Sequence, residues 1–168
     1  LFEILNHFED VTVLASLDDR GERVELQRHG LRFDVALENR RRMMRVAPRA
    51  RICVSATASV FNVMQLPAFH KAWVREGLIR IDEFMPHVLM NPPEYSMTVL
   101  PAALKTRVRE EFEAHIAWII DTAKTAPPRP EVMPAVKRER TAAAVPWVVR
   151  NPITGHGRLD ASIQQFRG

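Results

Sequence analysis

One cysteine, Cys53, serves all 168 residues. That excludes a disulfide within the chain and any metal site built from its cysteines alone, and it fits a cytoplasmic protein. No apolar run approaches the roughly 20 residues that a membrane-spanning helix needs. No charged segment followed by a long apolar run marks a signal peptide, so a membrane is not an expected partner. Also missing are a Gly-rich phosphate loop, a His-Glu-x-x-His pair and a Gly-x-Ser-x-Gly elbow, which tells against a kinase, a zinc protease or an α/β-hydrolase in these residues. No internal repeat recurs at a fixed period. The first residue is Leu1, with no capping signal before Leu1, Phe2, Ile4, Leu5 and Phe8. These read as the back half of an amphipathic helix entered in midstream, and the expectation is a fragment of a longer chain.

What is present suffices for one core, since 46% of the residues are apolar and the length is that of about one domain. The net charge of +4 is unevenly spread. From Lys124 onward, eight Lys or Arg face the three acids Glu131, Glu139 and Asp160. Arg40, Arg41, Arg42 and Arg45 form a second basic cluster on a predicted helix. Such runs bind phosphates non-specifically or simply form a solvated face. No aromatics are interleaved with them, so nucleic acid is not an expected partner.

Taken in order, the chain alternates between strand and helix patterns. A helix over Leu1 to Glu9 leads to a strand over Val11 to Leu17. A helical region follows to Val46, broken at Gly30 and stopped by Pro48. The next strand spans Ala50 to Thr57, and a helix from about Gln65 to Glu76 has Pro67 in its first turn and closes at Gly77. A third strand is clearest over Ile79 to Met85. Leu104, Val108, Phe112, Ile116 and Ile119 then form one apolar stripe on a helix reaching about Ala123. Glu110, Glu111 and Glu113 beside Arg107 and Arg109 mark that helix's solvated face. From residue 124 the composition shifts to a Pro-rich linker and an irregular basic extension. Alternation at this spacing predicts an α/β fold of parallel units. Three parallel strands leave faces and edges to be covered, so residues 1–123 are expected to be the later half of a (β/α) TIM-like barrel or a doubly wound sheet.

Candidate site residues gather where strands end, because open sheets and barrels keep their ligand sites at carboxyl ends. The run Val11 to Leu17 delivers Ser16, Asp18 and Asp19 there; the two acids serve equally as caps of the next helix. The second strand delivers Ser55, Thr57, Ser59 and Asn62, and His87 stands at the end of the third. Cys53, inside a strand, reads as a small buried hydrophobe.

Ser16-Leu17-Asp18-Asp19, followed by Arg28-His29-Gly30 and by Phe33 through Asn39, resembles the fourth-strand region of radical S-adenosylmethionine (radical SAM) enzymes. The family pattern there is Ser-x-Asp-Gly or a close variant, then Arg-x-Gly, an aromatic and a helix carrying Asn. Thr57-Ala58-Ser59-Val60-Phe61-Asn62 is similar to the family's fifth strand, and the Leu66 to Trp73 helix and the Leu100, Pro101, Lys105 step also fit. The resemblance covers roughly residues 5 to 123 and is nearest to members with a small twitch-type C-terminal domain.

The resemblance implies a cofactor, S-adenosylmethionine, and a [4Fe-4S] cluster that cleaves it reductively to a 5′-deoxyadenosyl radical, which abstracts hydrogen from a small-molecule or peptide substrate. It implies Ser16 on the cofactor's ribose, Arg28 on its methionyl carboxylate, and Thr57 and Asn62 on the adenosine side. Asp18 would stand nearer the substrate, as could His87 from its position. Asp19 departs from the family's Gly. The family's Cys-x3-Cys-x2-Cys cluster motif is absent here, as are cysteines for an auxiliary cluster, so the fragment alone is expected to be inactive. The rival expectation is a non-catalytic α/β module binding a nucleotide or partner protein through its basic tail.

Overall fold

In the computed structural model, residues 2–127 are described; the expectations for the Pro-rich linker beyond Pro127 and the basic extension lie outside them. Three strands, β1 (Thr12–Ala15), β2 (Arg51–Ala58) and β3 (Phe84–Val88), form one sheet in that order, with both pairings parallel. The helices are α1 (Glu22–Gln27), α2 (Phe33–Val46), α3 (Leu66–Arg75) and α4 (Ala102–Thr125). The described residues are therefore α/β with a three-stranded parallel sheet.

Side chains alternate across a strand, and from Val54 onward burial in β2 follows the alternation; Cys53, on the other face, is also buried, as its reading as a small hydrophobe expects. Ile52, Val54, Ala56 and Ala58 of β2 are buried with Val24, Met43, Leu66, Phe69, Trp73, Val108 and Phe112, so all four helices feed one core on one face. The opposite face carries Leu14, Ser55, Thr57, Met85 and His87, none of which joins that core. Leu14 there is 59% exposed. Among the described residues this second face is only partly covered, whereas strands of a parallel sheet are normally buried on both faces.

Local sequence explains most boundaries. Gly30, at φ 81°, separates α1 from α2. Pro48 follows the cap of α2 at Ala47. α3 ends in a Schellman turn: Gly77, at φ 68°, donates to Val74 O at 3.0 Å, and Leu78 N–H donates to Trp73 O at 2.9 Å.

That turn corrects the expected third strand. Leu78 and Ile79 are buried and apolar, but they close α3 rather than open β3. Glu83 accepts from Arg80 N–H at 2.9 Å in the turn between, and the strand begins only at Phe84. Pro86 inside β3 has no N–H to give, which suits an edge strand. The amino-terminal segment also departs from expectation, being a 3-10 turn over Phe2–His7 with no buried residue. Among the described residues, no helix is long and apolar enough to cross a membrane.

Candidate functional site

Beyond β1 the backbone leaves the sheet, and the Asp18 side chain takes its place. Its Oδ1 accepts the Thr57 N–H at 2.7 Å, a donor that a longer β1 would otherwise have to satisfy. Arg28, at the end of α1, closes on the same carboxylate: Nε lies 2.8 Å from Oδ2, and Nη2 donates to Oδ1 at 3.1 Å. The pair combines one charge-assisted hydrogen bond, through Nη2, with a close ionic contact at Nε. Asp18 is 7% exposed, while a third of the Arg28 side chain remains accessible.

Asn62 locks the arrangement from behind. Its Nδ2 donates to Asp18 O at 2.7 Å and to Thr57 O at 2.9 Å. Its Oδ1 accepts from Ser59 N–H at 2.8 Å and from Ser59 Oγ at 3.3 Å. All four hydrogen-bonding positions of the amide are used, at 0% exposure. The amide can sit only one way round, since a flip would face its NH2 toward the Ser59 N–H.

Asp19 does not cap α1, contrary to expectation: the N-cap is Gly21, with no side-chain cap hydrogen bond. Asp19 accepts from Arg20 N–H at 2.7 Å and pairs with Arg23 at 2.7 and 3.1 Å, and the hydrogen bond to Asp19 raises the Arg23 pKa. The left-handed residue of this turn is Gly21, at φ 57°, so an acid is accommodated at position 19 without backbone strain.

The structure thus joins Asp18, Arg28, Thr57 and Asn62 in one hydrogen-bonded group at the carboxyl end of the sheet. Ser16 and His87 stand apart from that network. Both are exposed; His87 is the register partner of Thr57 on the open face, and Ser16 follows directly after β1. The Ser16 hydroxyl, the His87 imidazole and the accessible third of Arg28 are the polar groups open to contact at this end. Asp18 and Asn62 act through what they hold: Asp18 orients Arg28, and Asn62 fixes the ends of both strands.

Two other features lie away from the rim. A cleft of about 390 Å³ at the amino end of β3 is lined by Arg40, Val74, Ile79, Arg80, Glu83 and the last turns of α4. Burial lowers the Arg40 pKa, and Glu83 counters it. Between α3 and α4, His70 and His115 are buried against each other. Sequence reading passed over this pair, although Val108, Phe112, His115 and Ile119 fall on one face at helical spacing. Among the described residues no group of three or more His, Cys, Asp or Glu side chains could hold a metal ion. The chain matches no family model, no curated protein and no solved structure.

Proposed function

We propose that this chain is part of a radical SAM enzyme, forming the later strands of its (β/α) barrel and one side of its S-adenosylmethionine site. The observation that carries the reading is the group at the carboxyl ends of β1 and β2, where Arg28 is braced by Asp18 beside Thr57 and Asn62. The open sheet face supports it, because barrel strands turn one face to helices and the other to the interior.

The residues suit the sulfonium cofactor's polar groups. A guanidinium has five N–H donors, and Asp18 engages only Nε and Nη2. The remaining edge fits a carboxylate, and the fixed fork makes Arg fitter than Lys for two oxygens. Ser16 offers a hydroxyl that both donates and accepts, as a ribose diol requires. When bound, the cofactor supplies the source of an organic radical; this chain's part is to bind and orient it. The cluster is a different matter. With Cys53 as the sole cysteine, these residues do not fit a thiolate-held iron–sulfur centre, and its ligands belong to residues other than these. On this reading the protein works in the cytoplasm on a small-molecule or peptide substrate.

Calorimetric titration of the chain with S-adenosylmethionine tests the proposal. Weak, saturable heat is expected, and Arg28→Ala should abolish it while circular dichroism still reports a folded chain. Equal binding by that variant would overturn the Arg28 role. If Arg28→Ala fails to fold, Ser16→Ala at its exposed position serves instead. No heat from the folded native chain at millimolar ligand would overturn the proposal itself.

A further inference from the structure

His70 on α3 and His115 on α4 meet in the apolar interior with Nδ1 of His70 3.1 Å from Nε2 of His115. Each residue is 2% exposed. The His70 ring stacks on Phe84 of β3 at 4.6 Å, the His115 ring stacks on Trp118 at 5.3 Å, and the two imidazoles meet edge-on. One pair of rings therefore ties together three elements.

Two neutral imidazoles carry two N–H donors and two bare nitrogens, and one hydrogen bond between them uses one of each. The outer atoms, His70 Nε2 and His115 Nδ1, are buried without a well-formed hydrogen bond. The Ile81 backbone gives His70 a polar contact, so the position left unmatched is His115 Nδ1. Hydrocarbon side chains would fill the same space without that cost. What imidazoles add is the capacity to take up a proton.

We infer that the His70–His115 pair is an acid-sensitive clasp, which holds α4 against α3 and β3 while both rings are neutral and releases α4 when the pair is protonated. A proton on either ring places a cation among Phe84, Phe112 and Trp118. Nearby charge does not help it. Lys71 on α3, with Nζ 5.7 Å from the Trp118 ring, acts against protonation of His115. On α4, Glu111 lies one turn before His115 but is exposed. Beside β3, Glu83 accepts from Arg80 N–H and counters Arg40, and His87 is exposed.

Burial pushes His70 down to about 4, against a pull from the Ile81 backbone. It pushes His115 down to about 3, reinforced by His70 and Lys71. Both folded values lie below the unfolded value near 6.5. The unfolded chain thus binds more protons as pH falls below about 6.5, and stability is lost progressively from there toward 4.

Amide hydrogen exchange, corrected for intrinsic rates, tests the clasp at about pH 7 and about pH 5. In the native chain, α4 amides should lose protection relative to β2 amides, on the order of 10-fold for each ring. His115→Phe, neutral at every pH and able to stack on Trp118, should remove most of that acid sensitivity. Unchanged α4 protection in the native chain, or the same loss in His115→Phe, would overturn the inference. If the variant does not fold, the ring resonances of the native chain decide. Both rings should stay neutral down to about pH 5, and titration of either ring near the unfolded value of about 6.5 would refute the clasp.

Discussion

At the carboxyl ends of the strands every hydrogen-bonding position of Asn62 is matched, whereas between α3 and α4 the two histidines each keep an outer nitrogen without a well-formed partner. Both clusters are buried, and both join elements far apart in the chain. The difference lies in what a buried polar group does once its partners are complete. A satisfied network fixes one geometry and holds it across conditions. An unsatisfied pair keeps a chemical degree of freedom, here the uptake of a proton. The first arrangement suits a scaffold for ligand contacts; the second suits a joint that can open.

Breaking the complete network should cost most. Asn62→Asp replaces the Nδ2 donor with an oxygen facing the Asp18 and Thr57 carbonyls, both within 2.9 Å of the present nitrogen. A loss of roughly 3 to 5 kcal/mol is expected, as for a buried charge without a partner. Urea unfolding at neutral pH measures it, and a loss below about 1 kcal/mol would show the network to be looser than its distances imply.

Asp18→Asn should cost less, about 2 kcal/mol, because the amide oxygen can still accept the Thr57 N–H while the charge opposite Arg28 is lost. Its more informative effect concerns position. With Arg28 no longer braced, S-adenosylmethionine affinity should fall with Asp18→Asn even though that side chain is 7% exposed. Calorimetry on the folded variant separates the two effects. Native affinity would mean that Arg28 holds its place without Asp18.

How much of this was written legibly in the sequence differs between the clusters. Ser16, Asp18 and Thr57 announce themselves because a β-branched run ending in polar residues has few other uses, and Gly30, Pro48 and Gly77 mark helix ends through backbone constraints that no tertiary context overrides. The strand expected over Ile79 to Met85 begins only at Phe84, because Leu78 and Ile79 are apolar for the sake of a helix-closing turn, and apolarity alone does not distinguish a turn's buried anchor from a strand. Whether Asp18 would meet a ligand or an arginine depended on a contact across ten residues, for which local spacing offers no rule. His70 and His115 are 45 residues apart. Each alone reads as one polar intrusion on an apolar helix face, and only the packing of α3 on α4 makes them a pair.

The smallest expected change in stability sharpens the comparison furthest. Ser16 and His87 are exposed on the rim and belong to neither network. Ser16→Ala and His87→Ala should each leave stability within about 0.5 kcal/mol of the native chain, as surface substitutions generally do. If the rim is a ligand site, Ser16→Ala should still weaken S-adenosylmethionine binding by about 10-fold, the worth of one hydrogen bond. A residue that matters for binding and not for folding cannot be dismissed as a cap or a turn former. Were Ser16→Ala to leave both unchanged, the polar end of β1 would be a terminus satisfied by Asp18 alone, and the cofactor contacts would have to be sought along Arg28 and the open face.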